Sequence, residues 1–239
     1  MSTEGAKVLC NALVHNDELS DLTLMWNNLG NKGCNIIANA VTINQLNWSF
    51  PFSINLAYNT IGEEGATILA NALRTNNLIT KLDLKGNNIY CAGASALAAS
   101  LKFNTVLEEL NLQCNGISDR GAIEIADTLA VNNVIKSLDL WGNPVRHRGA
   151  MALAEGIVQS MPGVCLQHLR VDEFWLPIKP LLGVELERSL DFRESCLGVL
   201  DAIIIAIFMK ENKEVSCEQR GCARICALNV CGLISTAQT

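Results

Sequence analysis

GATILANALRTN at residues 65–76, GASALAASLKFN at 93–104, GAIEIADTLAVN at 121–132 and GAMALAEGIVQS at 149–160 are one phrase written four times, its opening glycines 28 residues apart. A second phrase lies between them: ITKLDLKGNNI at 79–89, LEELNLQCNGI at 107–117 and IKSLDLWGNPV at 135–145, each reading LxxLxLxxNxI with Leu or Ile at the first place and Ile or Val at the last. A fixed period of this length marks a stack of like units. One such unit cannot bury its own apolar face and must lean on its neighbours.

Each unit has two faces to bury. Leu82 and Leu84 are two residues apart, so a strand sends both to one side while Asp83 and Lys85 point to the other. Ala66, Leu69, Ala70 and Leu73 stand at i, i+3, i+4 and i+7, one stripe of a helix, and the small alanines let that helix lie close to the strand layer. Asn27, Asn59, Asn87, Asn115 and Asn143 recur just after the strand, where the chain turns with partly buried backbone. A stacked asparagine can bond those groups in its own and the next turn. The glycine before each helix suits a tight turn with φ > 0 or a close backbone approach.

The pattern extends both ways. Gly5, Ala6, Leu9 and Leu13 match the helical phrase with no charged-then-apolar leader ahead of them, and residues 18–44 repeat strand phrase then helix phrase. Gly65 follows Gly33 by four residues more than the period, which predicts a bulged loop around Leu46–Pro51. Beyond Ser160, Leu166, Leu169 and Val171 keep the strand spacing, but Phe174 stands in the place of Asn, and Pro177 with Pro180 forbid the usual helix. Residues 161–186 therefore read as a shortened, irregular unit. Residues 189–212 restore the phrase, with Leu190 and Phe192 for the strand, Ser195 for Asn, and Asp201, Ala202, Ile205, Ala206 and Met209 for the helix. Strands are expected near 22–25, 54–57, 82–85, 110–113, 138–141, 169–172 and 190–193. The apolar run Leu197–Met209 would make a helix about 20 Å long against roughly 30 Å of membrane hydrocarbon, and Asp201 interrupts it; it reads as a buried repeat helix. The organisation expected is a repeat domain over 1–212 and a cysteine-rich tail over 213–239, a degenerate repeat or poorly ordered end.

The 239 residues are 49% hydrophobic yet hold only six Phe, two Tyr and four Trp, so Leu, Ile and Ala supply the core. The net charge of −6, without a long basic run, makes a protein partner the default rather than nucleic acid. Ten cysteines, several at places where other units carry Ala, fit a reducing compartment, the cytoplasm or the nucleus. Asn47-Trp48-Ser49 matches a glycosylation acceptor that such a compartment leaves unused. Cys217, Cys222, Cys226 and Cys231 have neither zinc-module spacing nor a nearby histidine, so neither metal nor cofactor is expected.

The combined phrase LxxLxLxxNxIxxxGAxxLAxALxxN resembles the long leucine-rich repeats of ribonuclease inhibitor, of the Ran GTPase-activating protein and of the C-terminal halves of NOD-like receptors. The resemblance covers about residues 5–212. It implies an α/β fold: a right-handed solenoid, or horseshoe, with parallel strands on the concave face, helices on the convex face and a partner in the hollow. No GxxxxGK[ST] occurs, so the nucleotide-binding motor of such a receptor has no counterpart here. The constant 28-residue unit is more similar to the Ran activator and the receptors than to the alternating units of the inhibitor, although an acidic tail like the activator's is missing.

No catalytic constellation emerges. His15, His147 and His168 are scattered, and Arg146-His147-Arg148 reads as a solvated loop with no carboxylate to orient the imidazole. Cys10 and Cys34 occupy alanine places, and Cys114 has no activating base. The informative positions face away from the core: Met25 with Trp26, Asn55 with Tyr58, Asp83 with Lys85, Asn111 with Gln113, Asp139 with Trp141, then Arg170, with Thr23, Ala57, Asp172, Asp191 and Arg193 beside them. Aromatic anchors among polar residues suit a protein interface. The function expected is a non-enzymatic interaction scaffold. The alternatives are a GTPase-activator-like regulator working through Arg120, Arg146 or Arg148, or the ligand-sensing module of a NOD-like receptor. Neither end carries a clear polar cap, which predicts self-association through the ends.

Overall fold

The computed structural model describes residues 3–13, 16, 18–44, 51–184, 192 and 197–211. Six strands, β1 (Asp21–Thr23), β2 (Phe52–Asn55), β3 (Ile79–Asp83), β4 (Glu109–Asn111), β5 (Ser137–Asp139) and β6 (His168–Arg170), pair in chain order and all run parallel. Leu22, Ile54, Leu82, Leu110, Leu138 and Leu169 lie side by side in that register and form one apolar ridge. Between successive strands run the helices: α1 (Thr3–Leu13) ahead of β1, then α2 (Gly30–Asn44), α3 (Glu63–Thr75), α4 (Tyr90–Leu101), α5 (Asp119–Leu129) and α6 (His147–Gln159). Each helix packs on the next, and the core lies between the two layers, where Leu84, Leu112 and Leu140 are fully buried.

The strands end two residues earlier than the leucine pattern suggests, and in β2 to β5 the last residue caps its own turn. Asn55, Asp83, Asn111 and Asp139 accept the backbone N–H two residues on, from Ala57, Lys85, Gln113 and Trp141, at 2.9–3.0 Å. The alternate N–H groups still cross to the next unit: Leu56 to Asp83, Leu84 to Asn111 and Leu112 to Asp139. Every second donor thus satisfies a neighbour and the one between satisfies its own turn, which leaves few orphans at a buried bend.

The repeated glycines serve close approach, the second of the two roles expected of them, rather than positive φ. Gly65, Gly93, Gly121 and Gly149 lie inside the first turn of α3 to α6, and none has positive φ. Their role is close helix approach: a Cβ on Gly93 would stand 2.8 Å from Ala66 Cβ, and one on Gly149 3.1 Å from Ala122 Cβ. Positive φ belongs to the loop glycines, Gly86 at 66° and Gly142 at 71°.

After β6 the regular course stops. β7 (Trp175–Pro177) turns back and pairs antiparallel with β6, a strand the repeat pattern did not reveal. It leads into α7 (Ile178–Leu182), a single turn that tolerates Pro180 because N–H groups of a first helical turn need no partner, and that ends at Gly183 with φ 71°. With α7 this short, α8 (Val199–Glu211) packs against α6 as well, burying Ile203, Ile204, Ile205 and Phe208. No helix among the described residues is long and apolar enough to cross a membrane. The bulged loop, the strand at 190–193 with Asp191 and Arg193, Ser195, His15, the acceptor at 47–49 and the tail with its four cysteines lie outside the described residues, apart from Pro51 and residue 192, neither of them in a strand.

Asp201, in the first turn of α8, is fully buried; its Oδ2 accepts from the Gly198 N–H at 3.2 Å while Oδ1 has no partner. Burial pushes its carboxyl from 3.8 up to about 6, the Gly198 N–H works against that rise, and the Asp172 carboxylate nearby adds to it. A raised carboxyl favours the folded state when protonated, so its contribution is full below the unfolded value and is lost as pH rises through about 6. Asp201→Asn should therefore raise stability by about 2 kcal/mol at pH 8 and have little effect at pH 4, read from urea unfolding midpoints at the two pH values. Equal effects at both would refute the buried carboxyl as the cause.

Candidate protein-binding face

The polar residues of the sheet side divide into those consumed by the fold and those left for solvent. Asn87 is the model of the first kind. Its Oδ1 accepts from the N–H groups of Asn59 and Ile61, and its Nδ2 donates to Leu56 O and Leu84 O. Asn59 and Asn143 repeat the pattern one unit before and two after, and Asn27 donates to Leu24 O and Met25 O. At Asn115 only the amide nitrogen is used, on Leu84 O and Gln113 O. The unit bridged is the preceding one, not the following one.

A second asparagine row, to which the sequence reading gave no role, runs along the helix ends. Asn16, Asn76, Asn104 and Asn132 accept the N–H groups two and three residues on, and Asn104 and Asn132 also donate to Leu73 O and Leu101 O in the unit before. Its signal was in view, since the helical phrase ends in Asn at each of these places.

Several residues proposed to meet a partner are likewise engaged. Asn55, Asp83, Asn111 and Asp139 cap their own strands. Three of the positions expected to face outward are not presented at all: Ala57 is 2% exposed, Gln113 7% and Asp139 3%, and the Gln113 amide donates to the Asp139 carboxylate. Burial pushes the Asp139 carboxyl up, against the Trp141 N–H and the Gln113 amide. The Trp141 ring stands beside the cationic chains of Lys85 and Arg170, and Arg170 Nη1 is 3.8 Å from Asp139. Lys85 Nζ lies 5.9 Å and Arg170 Cζ 4.9 Å from the Trp141 ring centre.

What stays open is aromatic. Trp26 and Tyr58 are not on the strands; with Gly86, Cys114 and Gly142 they fill the residue just before each Asn, and all five have φ between 51° and 71°. Glycine is at ease there and a bulky residue is not. Trp26 is nevertheless 68% exposed, its ring stacked on Tyr58 at 4.1 Å and 6°, and a Cβ on Gly86 would run into the Tyr58 ring. Met25 is also exposed. Trp175, on the unforeseen β7, is 38% exposed, with Arg170 5.9 Å from its ring centre and His168 edge-on to it.

Elsewhere among the described residues the side chains do not converge on a reaction centre. Arg120, Arg146 and Arg148 are exposed at the strand-to-helix edge, where the Arg146 N–H donates to Asp119. Cys10 and Cys34 are buried, which pushes both thiols up, Cys34 to about 12. Cys91 is the exception: burial pushes its thiol up, but hydrogen bonds with Ser118, the Gly121 N–H and the charge of Arg120 outweigh this and hold it below the ordinary value. No group of three or more metal-ligating side chains occurs among the described residues.

A family model described as Leucine Rich repeat matches residues 75–98, 103–126 and 131–154. Among solved structures, the leiomodin-1 actin-binding site 2 is 20% identical with a TM-score of 0.51, covering 67% of this chain and 90% of that one. The tropomodulin C-terminal domain from Caenorhabditis elegans is 12% identical with a TM-score of 0.46, covering 90% and 95%. No curated protein matches the sequence. The fold is an α/β leucine-rich-repeat solenoid.

Proposed function

We propose that this leucine-rich repeat protein is a non-catalytic scaffold that holds a protein partner against the outer, concave face of its sheet, in the cytoplasm or the nucleus. One observation carries the reading. At Trp26 and Tyr58 the chain places aromatic rings on left-handed backbone that Gly86 and Gly142 fill without strain, and leaves the larger ring open to solvent. A bulky residue held at positive φ with its ring left largely in solvent points to function rather than stability. The similar leiomodin-1 domain is named as an actin-binding site, which supports a protein as the class of partner. The free thiols of the five described cysteines fit a reducing compartment.

The test separates fold from binding. Trp26→Gly and Tyr58→Gly restore the residue of the other units, so each should leave the unfolding midpoint within about 1 kcal/mol of wild type. Binding of a captured partner should weaken by more than about 1 kcal/mol in at least one of Trp26→Gly, Tyr58→Gly and Trp141→Ala, measured by calorimetry. A partner held equally well by the triple variant would move the interface elsewhere. The second reading, GTPase activation, is favoured by the exposed cluster of Arg120, Arg146 and Arg148 at one edge. It requires faster GTP hydrolysis by a small GTPase and its loss on changing those arginines.

A further inference from the structure

We propose that Tyr58, Lys85, Trp141, Arg170 and Trp175 form one docking row for an extended acidic peptide segment, with an apolar side chain of that segment seated over Trp141. The inference rests on the face assignment above and adds the chemistry of the partner. Ring and cation alternate along the row: Lys85 Nζ is 6.0 Å from the Tyr58 ring centre and 5.9 Å from that of Trp141, and Arg170 Cζ is 4.9 Å from Trp141 and 5.9 Å from Trp175.

The charges of this row are treated unlike those around it. Lys81 meets Glu109, its register neighbour on β4, at 2.8 Å, and Lys136 meets Glu108 at 2.6 Å. Lys85 is in no ion pair among the described residues. The equivalent place in the next unit is Gln113, itself turned to Asp139, so Lys85 reaches over it to a ring instead. Arg170 gives its Nε–H to Glu173 O at 3.2 Å and brings Nη1 to 3.8 Å from Asp139, a carboxylate already accepting from Gln113 and the Trp141 N–H. A guanidinium has five donors, and these contacts engage only its Nε and Nη1.

Cations resting on flat apolar rings are matched by carboxylates flanking an apolar group. Both cations lean on Trp141, at 5.9 and 4.9 Å, so they stand within about 11 Å of each other, and an extended chain advances about 3.3 Å per residue. That span fits two acidic residues two or three positions apart with the apolar residue between them. Two cations on a chain of net charge −6 are too few for a polyphosphate strand, whose binding grows with the number of phosphates neutralised.

The full chain, immobilised, is to be panned against a random twelve-residue peptide library, with the enriched sequences then measured as labelled peptides by fluorescence anisotropy. Enriched peptides should share the acidic pair around an apolar residue, and their affinity should fall as salt rises. Lys85→Gln and Trp141→Ala should each weaken binding about tenfold, Arg170→Lys less, and Lys81→Gln not at all. Neutral or basic peptides that still depend on Trp141 would overturn the acidic assignment and leave the face assignment standing. Peptides indifferent to Trp26, Lys85 and Trp141 would overturn both. Absence of any enrichment, or tighter binding of an oligothymidylate than of any peptide, would also end the proposal.

Discussion

Asn87→Ala should lower the stability of the solenoid by about 3–5 kcal/mol, more than any surface change on the sheet. The side chain is 5% exposed and holds the loops of two units together. Its loss removes the acceptor of the Asn59 and Ile61 N–H groups and the donor to Leu56 O and Leu84 O. Each buried group left without a partner costs about 1–3 kcal/mol, reduced where water can enter. Urea unfolding gives the total, and hydrogen exchange gives the place: the Asn59 and Ile61 amides should lose protection before those of β4 and β5. Asn87→Asp, which keeps the acceptor, should retain the two amide bonds and lose less. A fall below about 1 kcal/mol for the alanine variant would refute the ladder as a source of stability.

Leu84→Ala should cost about 2–5 kcal/mol. Leu84 has no exposed surface and sits between the strand layer and the helices at the middle of the stack, where neither layer can close over a cavity without moving its neighbours. Lys85→Ala, one residue on and pointing the other way, is the control and should cost about 1 kcal/mol or less. Comparable losses at both positions would contradict the inward–outward alternation.

The alternation and the 28-residue period were legible because they follow from geometry that every unit shares. Leu82 and Leu84 had to face one way, and Ala66, Leu69 and Leu73 had to share a stripe. The outer face was read less well, for a physical reason: a residue pointing away from the core is not thereby free. Asp83 and Asn111 cap their own turns, and the Gln113 amide is turned to the buried Asp139 carboxylate. Such bonds depend on which side chains reach a turn or one another, which spacing does not encode. The reversal at β7 was hidden because residues 161–186 obey no period. Of the two roles expected of the repeated glycines, close approach holds at Gly93 and Gly149, where a Cβ would meet the neighbouring unit, and positive φ does not.

The two asparagine rows give the stack a direction in time. Asn59 reaches back to Leu24, Asn87 to Leu56, Asn115 to Leu84 and Asn143 to Leu112, and Asn104 and Asn132 reach back in the same sense. A chain emerging from the ribosome with its N-terminus first can thus lay down a strand and its turn, yet leave the turn's carbonyls provisional until the following asparagine arrives. Through Asn143, each newly made unit bonds turn carbonyls of the one before it. A nascent chain halted within the repeats carries an incomplete turn at its growing end, beside the apolar face that the next unit would cover.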